Sequence, residues 1–233
     1  MLLPDLSFEK EIWQRGFNFV GGVDEVGRGC FAGPVVTGCV VFPKEIKVTN
    51  GVYINDSKKL TTKLRYDAAI WIKNNAISWG VGVGSVAEIN NRGIVAVTSS
   101  AFRRAIQNAN KRTQTRIDYL LIDAFYIRNI NGLRMPIKTA RKNGNRNDGN
   151  ARQLAVVKGD QKILSVAAAS IIAKVYRDSL MESIGMRSFY KKYGWEKNKG
   201  YGTKRHRDAI LRYGVTRYHR KKFVSTFLAK NQN

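Results

Sequence analysis

Two patterns of apolar and polar positions run through this chain, one with the period of buried strands and one with that of helices. Residues 19–25 and 35–42 are short, nearly continuous apolar runs joined by a glycine-rich turn, which predicts two strands. Before them, residues 1–15 read as a lead-in helix, with Ser7-Phe8-Glu9-Lys10 as its cap and first turn. A loop closes on Asp56-Ser57-Lys58-Lys59-Leu60-Thr61, and a helix then follows to residue 76 with Leu64, Ala68 and Trp71 or Ile72 on one face. Residues 77–83 have strand character despite Gly80, Gly82 and Gly84. A second helix is expected over 94–109. The cleanest buried strand is 117–124, where Tyr119-Leu120-Leu121-Ile122 runs into Asp123, and a shorter one at 154–157 leads into Lys158-Gly159-Asp160.

Residues 165–180 form a long alanine-rich helical pattern, with Val166, Ala169, Ala173 and Tyr176 or Arg177 sharing a side. Small residues there allow close packing against a sheet. The last fifty or so residues read as short basic helices at 183–192, 204–213 and 222–229, dotted with aromatics. Strands that precede helices predict an α/β sheet rather than a sandwich or a bundle. The expected organisation is a catalytic-sized domain over 1–182 and a basic helical extension over 183–233. Residues 138–152, rich in Asn, Gly and Arg, read as a loop insertion within the first domain. No internal repeat is present.

Composition sharpens this picture. The 233 residues suffice for one substantial domain with an appendage, and 43% hydrophobic content supports a real core. Lys and Arg number 41 against 17 acids, a formal charge of +24, which predicts a polyanionic partner. No long apolar span or strong basic amphipathic helix points to a membrane. Two cysteines, Cys30 and Cys39, and two histidines, His206 and His219, argue against a zinc site. Reduced cysteines and an amino terminus without a basic leader or apolar core predict a cytoplasmic protein.

Acids are scarce, so their placement is informative. Asp24, Glu25, Asp123 and Asp160 each end an apolar run, where a surface charge is not expected. Strand ends at one edge of a sheet can gather such residues. A set of carboxylates without thiolate or imidazole is a hard, oxygen-only donor set, suited to Mg2+ or Mn2+, one ion or two. Two such ions suit phosphodiester hydrolysis. The competing reading is that each acid caps a helix or pairs with one of the many cations. Period two adds a difficulty, because neighbouring strand residues face opposite ways. Either the chain turns at Glu25, or Glu25 contributes through its carbonyl or a water. Gly27-Arg28-Gly29 lets backbone amides and a guanidinium approach an anion, although Arg28 could instead pair with a nearby acid. Ser57, Lys58 and Lys59 at a helix start suit phosphate contacts. Asp178 is expected to pair with a cation, and the histidines to be structural.

Gly22-Val23-Asp24-Glu25-Val26-Gly27-Arg28-Gly29, followed by Ala32-Gly33-Pro34-Val35-Val36, resembles the opening signature of ribonuclease HII, the type 2 ribonucleases H. Asp56-Ser57-Lys58-Lys59-Leu60, Leu121-Ile122-Asp123, Val157-Lys158-Gly159-Asp160, residues 167–175, Lys199-Gly200-Tyr201-Gly202-Thr203 and His219-Arg220 follow in the family's order. The resemblance implies a ribonuclease H-like fold, with a mixed central sheet and a helical carboxy-terminal extension. It implies an endonuclease that cleaves the RNA strand of RNA–DNA hybrids and nicks 5′ to ribonucleotides embedded in duplex DNA. Products would carry 3′-hydroxyl and 5′-phosphate ends, and the role would be removal of misincorporated ribonucleotides and RNA primers.

Position by position, the resemblance makes Asp24, Glu25, Asp123 and Asp160 the metal-binding acids. It makes Gly27-Arg28-Gly29 the sensor of the ribose 2′-hydroxyl, and Tyr201 the ring that packs on the sugar beside it. The 2′-hydroxyl distinguishes RNA from DNA. A monomer is expected, and docking to a replication clamp is not readable from these residues. The alternatives are the sister family ribonuclease HIII and a non-catalytic hybrid-binding protein. Asp160 in place of a glutamate, and no amino-terminal platform domain, argue against the sister family. Three departures stand out: a long interval between Asp123 and Asp160, Cys30 where the family commonly has proline, and Lys221-Lys222 where it often has a serine before Phe223. The long interval could be a solvated loop or an added phosphate-binding arm.

Overall fold

A computed structural model describes residues 3–113, 116–124, 126–130, 133 and 151–229. Its centre is a five-stranded mixed sheet built from β1 (Val20–Val26), β2 (Val35–Val41), β3 (Ser78–Gly84), β4 (Tyr119–Asp123) and β5 (Gln153–Val156), in the order β3-β2-β1-β4-β5. β1 pairs antiparallel with β2, and β2 with β3; β4 lies parallel to both β1 and β5. Parallel pairing brings the carboxyl ends of β1, β4 and β5 to one edge, where α/β sheets carry their sites.

Helices cover both faces. α1 (Ser7–Gln14), α2 (Thr62–Asn75), α3 (Val86–Arg92) and α4 (Ile94–Thr113) precede β4; α5 (Leu164–Gly185), α6 (Trp195–Asn198), α7 (Lys204–Tyr213) and α8 (Lys221–Ala229) follow β5. On one face α5 buries Ala167, Ala168, Ala169, Ile171 and Ile172 with Val40, Phe42 and Ile72. On the other, α4 packs Phe102, Ala105 and Ile106 against Val23, Cys39, Leu120 and Ile122. The glycines of β3 have a steric reason. A Cβ at Gly82 would collide with the Ala101 carbonyl, so the strand is glycine-rich where α4 lies on it.

One expectation is corrected. The helix expected at 183–192 does not exist as a separate element, because α5 runs on to Gly185. Met181 and Ile184 extend its apolar stripe into a carboxy-terminal core with Tyr193, Trp195 and Ile210. The helix stops where Gly185 meets Trp195, with a Cβ there barred by the Glu196 amide. The structure also contains α3, which patterning missed although Ser85-Val86-Ala87-Glu88 spells a capping box that the structure forms. The basic insertion expected at 138–152 lies outside the described residues except for Ala151 and Arg152.

Candidate active site

Asp24 sits near the end of β1 and Asp123 ends β4. Since Val23 pairs with Ile122 in parallel register, the two acids fall side by side one step further on. Asp160 lies just past β5, in a 3-10 turn (Gly159–Gln161) entered through Lys158 in the left-handed region. The Asp123 carboxylate accepts the Gly159 amide at 2.8 Å, tying the two acid-bearing segments together. Asp24, Glu25, Asp123 and Asp160 line one pocket of about 260 Å3, bordered by Gly27, Arg28, Gly29, Ser57, Lys58 and Tyr201.

Lys59 is exposed and does not line the pocket. Among the described residues, no three acids, cysteines or histidines stand close enough to make a ready-formed metal cluster.

Of the two alternatives for Glu25, the turn is not there. β1 continues to Val26, and Glu25 pairs in register with Thr37. Asp24 takes the α5 side, where the Ser170 hydroxyl hydrogen-bonds its carboxylate. Glu25 reaches the same pocket because that pocket opens across the end of the strand, so facing the opposite way does not remove it. Its carboxylate meets the Arg28 guanidinium at 3.5 Å, so Arg28 has an acid partner as well as a place at the pocket wall. Gly27 has φ +87, and a side chain there would strike Arg177 beneath it, so this turn admits only glycine.

Burial dominates the electrostatics. It raises the Asp24 carboxyl well above its usual range, reinforced by the charge of Glu25. Glu25 is pushed up to about 7 by burial, with Arg28 opposing and Asp123 adding to the rise. Asp160 is raised by burial and by the charges of Asp56 and Asp123, with Lys58 and Lys59 pulling the other way. Three acids thus resist ionising together, opposed in part by the charges of Arg28, Lys58 and Lys59.

Two pocket residues were not foreseen: Ser170 and Lys174, one turn apart on α5. Ser170 also shares a 3.0 Å hydrogen bond with Ser57. Lys174 pairs with Asp178 at 2.9 Å, and Arg65 approaches the same acid at 3.4 Å, which gives Asp178 its expected cations. The signal for both was that Ser170 and Lys174 interrupt an otherwise apolar run from Val166 to Val175. The other side of Arg28 opens onto a larger groove of about 1390 Å3, lined by Arg92, Arg103, Arg128, Arg207 and Lys222 with Phe31, Tyr126, Phe223 and Phe227. Among the described residues no carboxylate lines it, so the acids gathered here belong to the smaller pocket.

A family model described as Ribonuclease HII matches residues 21–226. The chain belongs to the ribonuclease HII family. A ribonuclease HII of Caldanaerobacter subterraneus subsp. tengcongensis is 42% identical over 221 residues, covering 95% of this chain and 80% of that protein. One from Pediococcus pentosaceus is 41% identical, covering 96% and 77% respectively. Among solved structures, ribonuclease H2 from Pyrococcus horikoshii OT3 matches with a TM-score of 0.65 at 25% identity, over 88% of this chain and 93% of that one. The mixed sheet is therefore a ribonuclease H-like fold. As a ribonuclease HII, the chain is a ribonuclease H endonuclease acting on RNA–DNA hybrids. Among the described residues no helix is long and apolar enough to cross a membrane.

Proposed function

We propose that this ribonuclease HII hydrolyses the RNA strand 5′ to ribonucleotides, including single ones embedded in duplex DNA, and that the carboxylate pocket is its active site. The observation that carries this is the meeting of four acids, from three strand ends far apart in sequence, beside the Gly27-Arg28-Gly29 turn. Asp24, Glu25, Asp123 and Asp160 would hold Mg2+ or Mn2+, as one or two ions. The donor set fits such a group. It is oxygen-only, and three of its members are held above their usual pKa by burial and mutual repulsion, which a divalent cation relieves. When bound, the metal supplies a more acidic water and charge stabilisation at the leaving oxygen.

The chain's own residues do the rest. Lys58 and Lys174 offer positive charge at the pocket wall for the scissile phosphate, with Ser57 beside them and Lys59 on the outer surface. Gly27, Arg28 and Gly29 present backbone and guanidinium donors to the 2′-hydroxyl, and the Tyr201 ring packs on the neighbouring sugar. The arginine-lined groove beyond Arg28 would carry the flanking backbone, so that residues 183–229 contribute to duplex binding. All of these groups come from one chain, which supports action as a monomer.

Duplex DNA with one ribonucleotide, and a long hybrid, should both be cut in Mg2+ or Mn2+, the former 5′ to the ribonucleotide with 3′-hydroxyl and 5′-phosphate ends. Asp123→Asn should lower kcat by about a thousandfold or more while substrate still binds. Wild-type activity in the variant would remove Asp123 from the chemistry, and failure to cut the embedded site would limit the enzyme to hybrids.

A further inference from the structure

The mechanism uses neither histidine, yet both are buried and both are bound up with Tyr201. His206 is fully buried and His219 nearly so, both packed against Trp195 and Tyr193. Their hydrogen bonds fix which nitrogen carries each proton. The Thr216 amide donates to His219 Nδ1 at 2.8 Å, so that nitrogen is bare and the proton of neutral His219 is on Nε2. The Trp195 indole N–H donates to His206 Nε2 at 3.0 Å, so His206 carries its proton on Nδ1. The two Nε2 atoms are 3.2 Å apart, with His219 donating and His206 accepting. His206 Nδ1–H then donates to the main-chain carbonyl of Tyr201 at 2.9 Å. Every polar atom of the pair has one role, and a second proton on either ring would set a donor against a donor. Burial lowers the affinity of both rings for that proton, with His219 brought down to about 4.

We infer that His206, locked in its Nδ1–H tautomer by Trp195 and His219, is a positioning residue that sets the height and angle of Tyr201 over the sugar. The inference rests on the proposed role of Tyr201. The segment it fixes needs such an anchor. Lys199 and Gly200 are both in the left-handed region, so the chain reverses sharply just before the tyrosine. The Gly200 carbonyl accepts the amides of Phe31 and Ala32, at 2.9 and 3.1 Å, which ties the loop to the segment after Arg28. The far end of the relay returns to the same place. His219 forms a bridge with Ala32, and the Arg220 amide donates to the Phe31 carbonyl at 2.8 Å. The imidazole pair thus closes a ring of contacts that joins the Tyr201 loop to Phe31 and Ala32, the segment that follows the Gly27–Gly29 turn. Tyr201 itself stays 38% exposed, so its main chain is held while its ring remains available.

Two variants separate positioning from simple packing. In His206→Asn the amide nitrogen takes the place of Nδ1 and can still donate to the Tyr201 carbonyl; in His206→Gln only the inner, Nε2-like end is kept. Each is assayed on duplex DNA with one ribonucleotide and on a long hybrid, beside Tyr201→Ala, with melting temperatures measured for all. His206→Asn should keep the wild-type ratio of kcat/KM between the two substrates. His206→Gln should shift it against the single ribonucleotide by about tenfold, at a melting temperature matching that of His206→Asn. In wild-type protein, imidazole nitrogen NMR should find His206 protonated on Nδ1 and His219 on Nε2. If Tyr201→Ala shifts the ratio but His206→Gln does not, or if both histidine variants lose activity in step with stability, the positioning role is overturned. A different tautomer at His206 overturns it as well. An unchanged ratio in Tyr201→Ala would instead overturn the role of the tyrosine.

Discussion

Glu25 shows how far a single side chain can be read before the structure is seen. Its place in the acid signature and at the end of an apolar run was legible, and alternation along the strand set it on the face opposite Asp24, so that regular strand geometry does not bring both to one metal. Alternation alone did not show that both acids line one pocket. At the end of β1 a pocket reaches both faces. Ser170 and Lys174 were hidden for another reason: a polar stripe on an alanine-rich helix reads as a solvated face until the sheet packed against it is known.

The raised acids carry a testable consequence. In the unfolded chain these carboxyls ionise near pH 4, roughly, whereas folded Glu25 does so at about 7, so the folded state holds more protons in between. The contribution to stability is therefore complete below the unfolded pKa and is lost as the pH rises through the folded one. A divalent cation on the ionised acids reverses that loss. Melting curves should show Mg2+ or Mn2+ raising the midpoint clearly at pH 8 and little at pH 5, a differential on the order of 2 kcal/mol. Equal increments at both values would mean that the ions act elsewhere.

At the level of elements, α5 matters most, because it supplies Ser170 and Lys174 to the pocket and then continues into the carboxy-terminal core. Its existence was plain from alanine content and period, but its length was not, since Met181 and Ile184 are buried by residues distant in the chain, Ala32 on one side and Tyr193, Trp195 and Ile210 on the other. Its start is held in a way that no local pattern shows. Ile163, at the helix entrance, has no capping side chain; instead Glu9 of α1 accepts the Ser165 amide at 2.9 Å, while fully enclosed. The cap comes from 156 residues away, so the usual search for Ser, Thr, Asp or Asn just before a helix cannot find it. Burial raises the Glu9 carboxyl, and the Ser165 hydroxyl and amide oppose that rise. Glu9→Ala should remove this cap and cost about 1–2 kcal/mol of unfolding free energy in denaturant melts, with kcat unchanged at temperatures where the variant is folded. A loss of kcat in the folded variant would show instead that the start of α5 communicates with Ser170 and Lys174.

The whole molecule is governed by its charge of +24, and the structure shows where part of that charge is concentrated. Arg92, Arg103, Arg128, Arg207 and Lys222 line one groove together with Arg28. Composition announced a polyanionic partner but could not locate it, because Arg92 and Arg103 are more than a hundred residues from Arg207 and Lys222 and join them only in the fold. Cations that contact phosphates release condensed counterions, so each one that engages adds close to one to the salt dependence of binding. Arg207 and Lys222 are both exposed at this groove and lie outside the acid pocket. Replacing both with alanine should reduce the slope of log affinity against log salt by about 2 for a hybrid duplex. The value of kcat at saturating substrate should stay close to wild type, since neither residue borders the carboxylates. An unchanged slope would take Arg207 and Lys222 out of duplex binding and leave other cations, Lys58 and Lys174 among them, to carry the affinity.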